Sequence, residues 1–198
     1  MKNKKILVSK LVLILLIIII LIIIIFPPKS IAVDKKNGEM KNTIGELYSG
    51  DVLIQQIKAT EKYTSFAFEL ATYEKKLNKG ELIIEIDDET NVKKTIMKLS
   101  EIPDNTKYDL KYNFKKNKIY KIRFLIRDSD YPITIYSGNN DDKNSILTIN
   151  DKKQKNGIFL EFYYKKNTYF SILYCLFLII VDLLYIAITL NGVENNDR

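Results

Sequence analysis

The chain has 198 residues, 46% hydrophobic and 28% charged, with a formal net charge of +7, no histidine, no tryptophan and one cysteine. These counts exclude histidine acid–base chemistry, zinc sites of the His/Cys type and any disulfide within the chain. All basic residues except Arg123, Arg127 and Arg198 are lysine, and they are interspersed with acidic ones. That pattern reads as a solvated mixed-charge surface, and no nucleic-acid partner is expected.

Residues 1–5 carry Lys2, Lys4 and Lys5 and read as a cytoplasmic N-terminus. Residues 6–26 follow as a transmembrane helix or signal anchor, with an unbroken apolar run over 11–26 that Pro27 and Pro28 end. A cleaved signal peptide is the alternative, because Ser30-Ile31-Ala32 presents small residues of the kind a signal peptidase reads. Retention is the favoured reading. Residues 27–50 are assigned to a linker and first strand region, and the polar stretch 33–43 reads as the linker itself.

Residues 51–166 change to period two. Phe66, Phe68 and Leu70 alternate with Ala67, Glu69 and Ala71, and Leu82, Ile84 and Ile86 alternate with Ile83 and Glu85. The same pattern recurs over 108–114 and 120–127, with shorter runs at 52–59, 95–99, 133–136, 146–149 and 158–164. Gly-, Asn- and Asp-rich breaks separate them, at 78–80, 87–91, 103–105, 115–118, 138–144 and 150–157. About nine short strands with such turns, and no amphipathic helical run, predict an antiparallel β-sandwich.

Residues 169–190 predict the second transmembrane helix, closed by Asn191-Gly192 and a cytoplasmic tail over 191–198. Two retained spans put both termini inside and the central domain outside. Asp182 is the one charged residue in this second run. An ionisable group at that depth is costly unless paired, so Asp182 is expected to contact a polar group on another membrane helix.

The stretch Gln55-x-Ile57-x-Ala59, Phe66-x-Phe68, Ala71-Thr72-Tyr73, Asn78-x-Gly80-x-Leu82 and Asp87, continued by Tyr108, Phe114 and Tyr120-x-Ile122, carries a resemblance. It resembles the extracytoplasmic jelly-roll module that follows the first span of some bacterial membrane proteins of surface-polysaccharide assembly. The likeness covers about residues 51–164 together with the position of the flanking spans. It implies a jelly-roll-like β-sandwich, similar in fold to carbohydrate-binding domains, held outside the bacterial cytoplasmic membrane by two spans. The implied partners are the lipid bilayer and a surface polysaccharide or a membrane protein of glycan assembly. This chain departs from the large relatives by stopping after the second span, so their polytopic transport or transferase activity is not implied.

Sugar sites in such folds pair an aromatic face with a few hydrogen-bonding groups. Thr72 and Tyr73, which the resemblance sets beside the turn at 78–80, are the leading ligand-binding candidates, with Asn78, Tyr131 and Tyr136 as further positions. Asp87, Asp88, Asp141 and Asp142 are weak calcium candidates, because adjacent turn carboxylates more often cap hairpins than converge on an ion. Glu69, Glu85 and Glu161 could in principle supply a glycosidase pair, but nothing in the sequence marks one as a raised-pKa acid. A nucleophile elbow, a P-loop and a dinucleotide fingerprint are missing, so no cofactor and no enzymatic activity are expected. The expectation is a non-catalytic protein that binds or positions a surface glycan or a glycan-assembly protein. The alternative is an accessory subunit of a larger membrane complex, paired through Asp182.

Overall fold

The computed structural model describes residues 29–139, 144–167, 176–181 and 183. The first expected span, Asp182, both tails and the pair Asp141 and Asp142 lie outside the described residues. Of the second expected span, only residues 176–181 and 183 are described, and they are helical. Among the described residues no helix is long and apolar enough to cross a membrane. The chain divides into two compact units, Met1–Ser30 with Lys166–Arg198, and Ile31–Lys165.

The second unit is built of strands. In chain order they are β1 (Lys29–Lys36), β2 (Met40–Thr43), β3 (Val52–Lys58), β4 (Tyr63–Ala71), β5 (Glu81–Asp87), β6 (Val92–Lys98) and β7 (Thr106–Lys111). There follow β8 (Ile119–Arg127), β9 (Thr134–Gly138), β10 (Ile146–Ile149), β11 (Lys152–Lys153), β12 (Gly157–Ile158) and β13 (Leu160–Asn167). They form two antiparallel sheets. The first runs β1-β13-β4-β9-β12, with β7 also on β4 and β2 also on β9; the second runs β11-β10-β3-β8-β5-β6.

Alternation decides which face of each strand is buried. Phe66, Phe68 and Leu70 of β4 and Phe162 of β13 point inward from the first sheet, and are fully buried. Leu53 and Ile57 of β3, Leu82 and Ile84 of β5, and Ile122, Phe124 and Ile126 of β8 meet them from the second. Phe68 and Phe124 touch edge to face across the two sheets, their ring centres 5.1 Å apart. Each such side chain contributes roughly 1.5–3 kcal/mol by leaving water. The main fold expectation, two antiparallel sheets around one apolar core, is met.

Residues 33–43 do not form the expected linker. They lie mostly in β1 and β2, and the reason is chemical. Two of the three inward positions of β1, Asp34 and Lys36, are charged, so no hydrophobic alternation marks the strand. Lys36 is buried and its ammonium lies 3.1 Å from the Asp34 carboxylate. The same carboxylate oxygen accepts hydrogen bonds from the Tyr63 hydroxyl and from Thr60 Oγ1, the latter at 3.0 Å. This knot ties β1 to the loop before β4 and to the first residue of β4.

Burial alone would push the Asp34 carboxyl up, but the Tyr63 hydroxyl, the Lys36 ammonium and Thr60 together hold it below its ordinary 3.8. Burial and the neighbouring Asp34 raise the Tyr63 phenol. A carboxyl held low in the folded state favours folding above its unfolded pKa, and that contribution fades as pH falls through the folded value. Asp34→Asn is therefore expected to lower stability at pH 7 and to flatten the acid limb of a melting-temperature profile below about pH 4. Parallel profiles for the two proteins across that range would rule out this role.

Candidate functional site

The loops at 72–80, 103–105 and 128–133 are tied together by two aspartates, and the residues singled out by sequence sit among them. Thr72 is buried. Its backbone N–H and its hydroxyl both donate to Asp104 Oδ1, the hydroxyl at 3.2 Å, while the Glu74 N–H donates to Asp104 Oδ2 at 3.1 Å. Between these anchors Tyr73 and Glu74 take φ values of 54° and 60°, a left-handed conformation that costs an ordinary side chain about 1–2 kcal/mol. Asp104 thus holds a strained turn. Burial raises its carboxyl, but the N–H donors outweigh this and leave it low.

Asn78 donates its backbone N–H and its side-chain amide to Asp130 Oδ2, both at 3.2 Å. The Tyr136 hydroxyl donates to Asn105 Oδ1 at 2.7 Å. Tyr73 and Tyr131 remain 39% and 46% exposed. The structure therefore gathers Thr72, Tyr73 and Asn78 at linked loops, but uses the polar groups of Thr72 and Asn78 to hold those loops. Asp104→Ala is expected to cost about 2 kcal/mol, because it strips the part-buried Thr72 N–H and hydroxyl of their acceptor and releases the exposed Glu74 N–H that helps hold the turn. A thermal melt checks this, and an unchanged midpoint would show the turn to be self-supporting.

The acidic turn residues are likewise engaged locally. Asp88 Oδ1 accepts from the Thr90 hydroxyl at 2.6 Å and from the Asn91 and Thr90 N–H groups at 2.9 and 3.1 Å, and its other oxygen lies 3.2 Å from Lys118 Nζ. The Thr90 hydroxyl leads these donors in holding the carboxyl well below the usual carboxylate range. Asp87 accepts from the Glu89 N–H at 2.7 Å. Among the described residues no three His, Cys, Asp or Glu side chains converge as a metal site would require.

A different arrangement lies on the outer face of the first sheet. A cleft of about 350 Å³ is floored by Ala67 and lined by Lys35, Glu39, Met40, Glu69, Lys107, Phe159 and Glu161, with Phe68 beneath. Strand register explains how these distant residues meet. Glu161 of β13 stands opposite Ala67 of β4, and Lys107 of β7 stands opposite Glu69 of β4. Glu69 and Glu161 are thus diagonal neighbours across β4 and β13, at backbone positions about 7–8 Å apart. Glu85, the third glutamate noted in the sequence, belongs to β5 in the other sheet, where it pairs with Arg123 at 3.5 Å.

Charges in the cleft are ordered around Glu161. Its carboxylate is ion-paired with Lys107, lies 4.0 Å from Lys35 Nζ, and accepts a 3.0 Å hydrogen bond from the Tyr163 hydroxyl. Burial raises the Glu161 carboxyl, and Lys107 and Tyr163 more than reverse this, so it stays ionised. Burial would lower Lys107, but Glu161 and Tyr163 raise it overall, so the pair is charged on both sides. The two ammonium groups also cover aromatic rings, Lys107 over Tyr163 at 5.7 Å and Lys35 over Phe159 at 5.9 Å. Sequence reasoning singled out Glu69 and Glu161 but not Lys35, Lys107 or Phe159, whose meeting depends on register.

No protein-family model, curated protein or solved structure matches the chain. A functional reading must therefore come from the residues themselves. The cleft offers carboxylate acceptors, ammonium donors and two apolar side chains around a shallow floor. It can hold a polar, hydrogen-bonding ligand. Its ionised Glu161, paired with Lys107, is unsuited to donating a proton to a leaving group.

Proposed function

We propose that the protein is a non-catalytic, membrane-anchored extracytoplasmic jelly-roll module that binds or positions a surface glycan, with the outer-face cleft as its binding site. The observation that carries this reading is the cleft itself, because its volume of about 350 Å³ falls at the lower end of the range for small-ligand pockets. Its lining mixes acceptors and donors with apolar carbon, as a saccharide's alternating hydroxyl groups and C–H faces require. The jelly-roll assignment is supported by the connections. From β3 to β4, β4 to β5, and through each step from β6 to β10, the chain passes from one sheet to the other. The membrane anchoring and the outward placement rest on the two apolar runs and the lysines before the first.

A saccharide array probed with the full chain in lipid nanodiscs tests this function. The expected result is retention on at least one bacterial surface saccharide. An empty array, together with a membrane protein that co-purifies in equal amount, would replace glycan binding with the accessory-subunit role.

A further inference from the structure

The cleft's charge arrangement narrows the class of saccharide, and this step rests on the glycan-binding reading above. We infer that the outer-face cleft takes an uncharged saccharide and discriminates against anionic ones, with Glu69 as its principal open acceptor. Three features of the lining lead there.

Both ammonium groups are already engaged. Lys107 is ion-paired with Glu161, and Lys35 lies 4.0 Å from the same carboxylate while capping the Phe159 ring. An anionic sugar would have to compete with Glu161 for them, in a site where Glu39, Glu69 and Glu161 outnumber Lys35 and Lys107. Like-charge juxtaposition of that kind is what rejects wrong partners at an interface.

Glu69 differs from Glu161. It is half-buried in the cleft wall, yet its carboxylate has no hydrogen-bond or ion-pair partner among the described residues. An ionised carboxylate only accepts hydrogen bonds, so what it lacks is a donor. Sugar hydroxyls supply donors in pairs, without charge. The floor completes the fit. Ala67 faces outward beside Glu161, and its short side chain leaves the space that a larger residue would fill. The 41% exposed Met40 offers apolar carbon to the C–H face of a ring, while Phe159, buried and covered by Lys35, only lines the wall.

The test uses the full chain in detergent, titrated calorimetrically with two probes of matched length, neutral tetra-N-acetylchitotetraose and anionic tetragalacturonate. The neutral probe is expected to bind at least about tenfold more tightly than the anionic one. Glu69→Ala should weaken the neutral probe about tenfold, the loss for one hydrogen bond to a charged group. Ala67→Leu should abolish binding by filling the floor. Because Ala67 is buried, its variant is accompanied by a melting curve, and Glu69→Ala, at a half-exposed position with no partner to lose, is the variant on which the conclusion rests if the leucine protein unfolds.

Tetragalacturonate binding as tightly as the neutral probe would overturn the charge selectivity while leaving a glycan-binding protein. Neutral binding that ignores Glu69→Ala would overturn the site, again without touching glycan binding itself. Failure of both probes, with a blank saccharide array, would remove both conclusions together.

Discussion

Gly138→Ala should be among the most damaging single substitutions in the protein, with an expected loss of about 4 kcal/mol or more of unfolding free energy. An added Cβ at Gly138 would lie 2.0 Å from the Asn37 carbonyl oxygen and 2.8 Å from that of Glu39. Both obstacles are backbone, so no side chain can swing aside. Gly157, which pairs with Gly138 in the β9–β12 ladder, meets the same residue, and a Cβ there would lie 2.3 Å from Asn37 Nδ2.

What must move is itself a buried network. Asn37 sits at φ 65°, almost fully buried; its amide donates to the Ile158 carbonyl at 2.5 Å, and its Oδ1 accepts from Ser145 Oγ at 2.7 Å. Gln55 closes the ring. It donates to Ser145 Oγ at 2.7 Å and accepts from the Ile158 N–H at 2.8 Å. Displacing Asn37 would leave several of these polar groups without partners, each at about 1–3 kcal/mol. Chemical unfolding of wild type and variant followed by circular dichroism measures the difference. A loss below about 1 kcal/mol would mean that the turn between β1 and β2 shifts without cost, and the network would not be the clamp described here.

Phe114→Ala is expected to cost about 3–5 kcal/mol. Phe114 belongs to no strand, but its N–H donates to the Tyr63 carbonyl at 2.9 Å, which fixes it just beyond β7. From there its ring reaches both sheets. Ring centres lie 4.7 Å away in Tyr112, 4.8 Å in Tyr120, 5.2 Å in Phe162, 5.9 Å in Phe66 and 6.1 Å in Tyr63, mostly edge to face. Such pairs add about 0.5–1.5 kcal/mol beyond burial, so removing the shared ring loses packing on several sides. Phe114→Leu should cost less than alanine, because it keeps more of the buried volume, although it too loses the ring contacts. Equal losses for alanine and leucine would assign the effect to the ring's edge-to-face contacts rather than to the volume it fills.

How far these features could be read in advance depends on the kind of residue that carries them. Strands β4, β5 and β8 bury apolar side chains at alternate positions, and for them the alternation is the fold; β3 does the same except at Gln55, which joins the buried polar network. Strand β1 buries Lys36 and turns Asp34 toward Tyr63, so its inward face resembles an exposed one until the partners are placed. Strands β11 and β12 have two residues each, too few to carry any period. Residues 158–164 read as one strand, yet Ile158 pairs with Ser137 of β9 and Phe162 with Phe66 of β4. Local sequence carries no trace of that change of partner.

The candidate site residues show the same division. Thr72 and Asn78 are recognisable as loop polar groups, but the aspartates that engage them are 32 and 52 residues away in the chain. In the cleft, Lys35, Glu69, Lys107 and Glu161 occupy outward strand positions, where charged residues ordinarily meet only water. The convergence of Glu69, Lys107 and Glu161 follows from the β4–β7 and β4–β13 registers, Lys35 joins them from β1 beside β13, and Ala67 is small where its neighbours are long.

The most direct measurement is an NMR titration of isotope-labelled full chain in detergent with tetra-N-acetylchitotetraose, following backbone amides. Binding at the outer-face cleft predicts saturable shifts at Ala67, Glu69, Lys107, Phe159 and Glu161, with residues 72–80 and 128–133 left in place. Shifts confined to those loops, or a spectrum unmoved at saturating saccharide, would contradict the assignment of the cleft as the binding site.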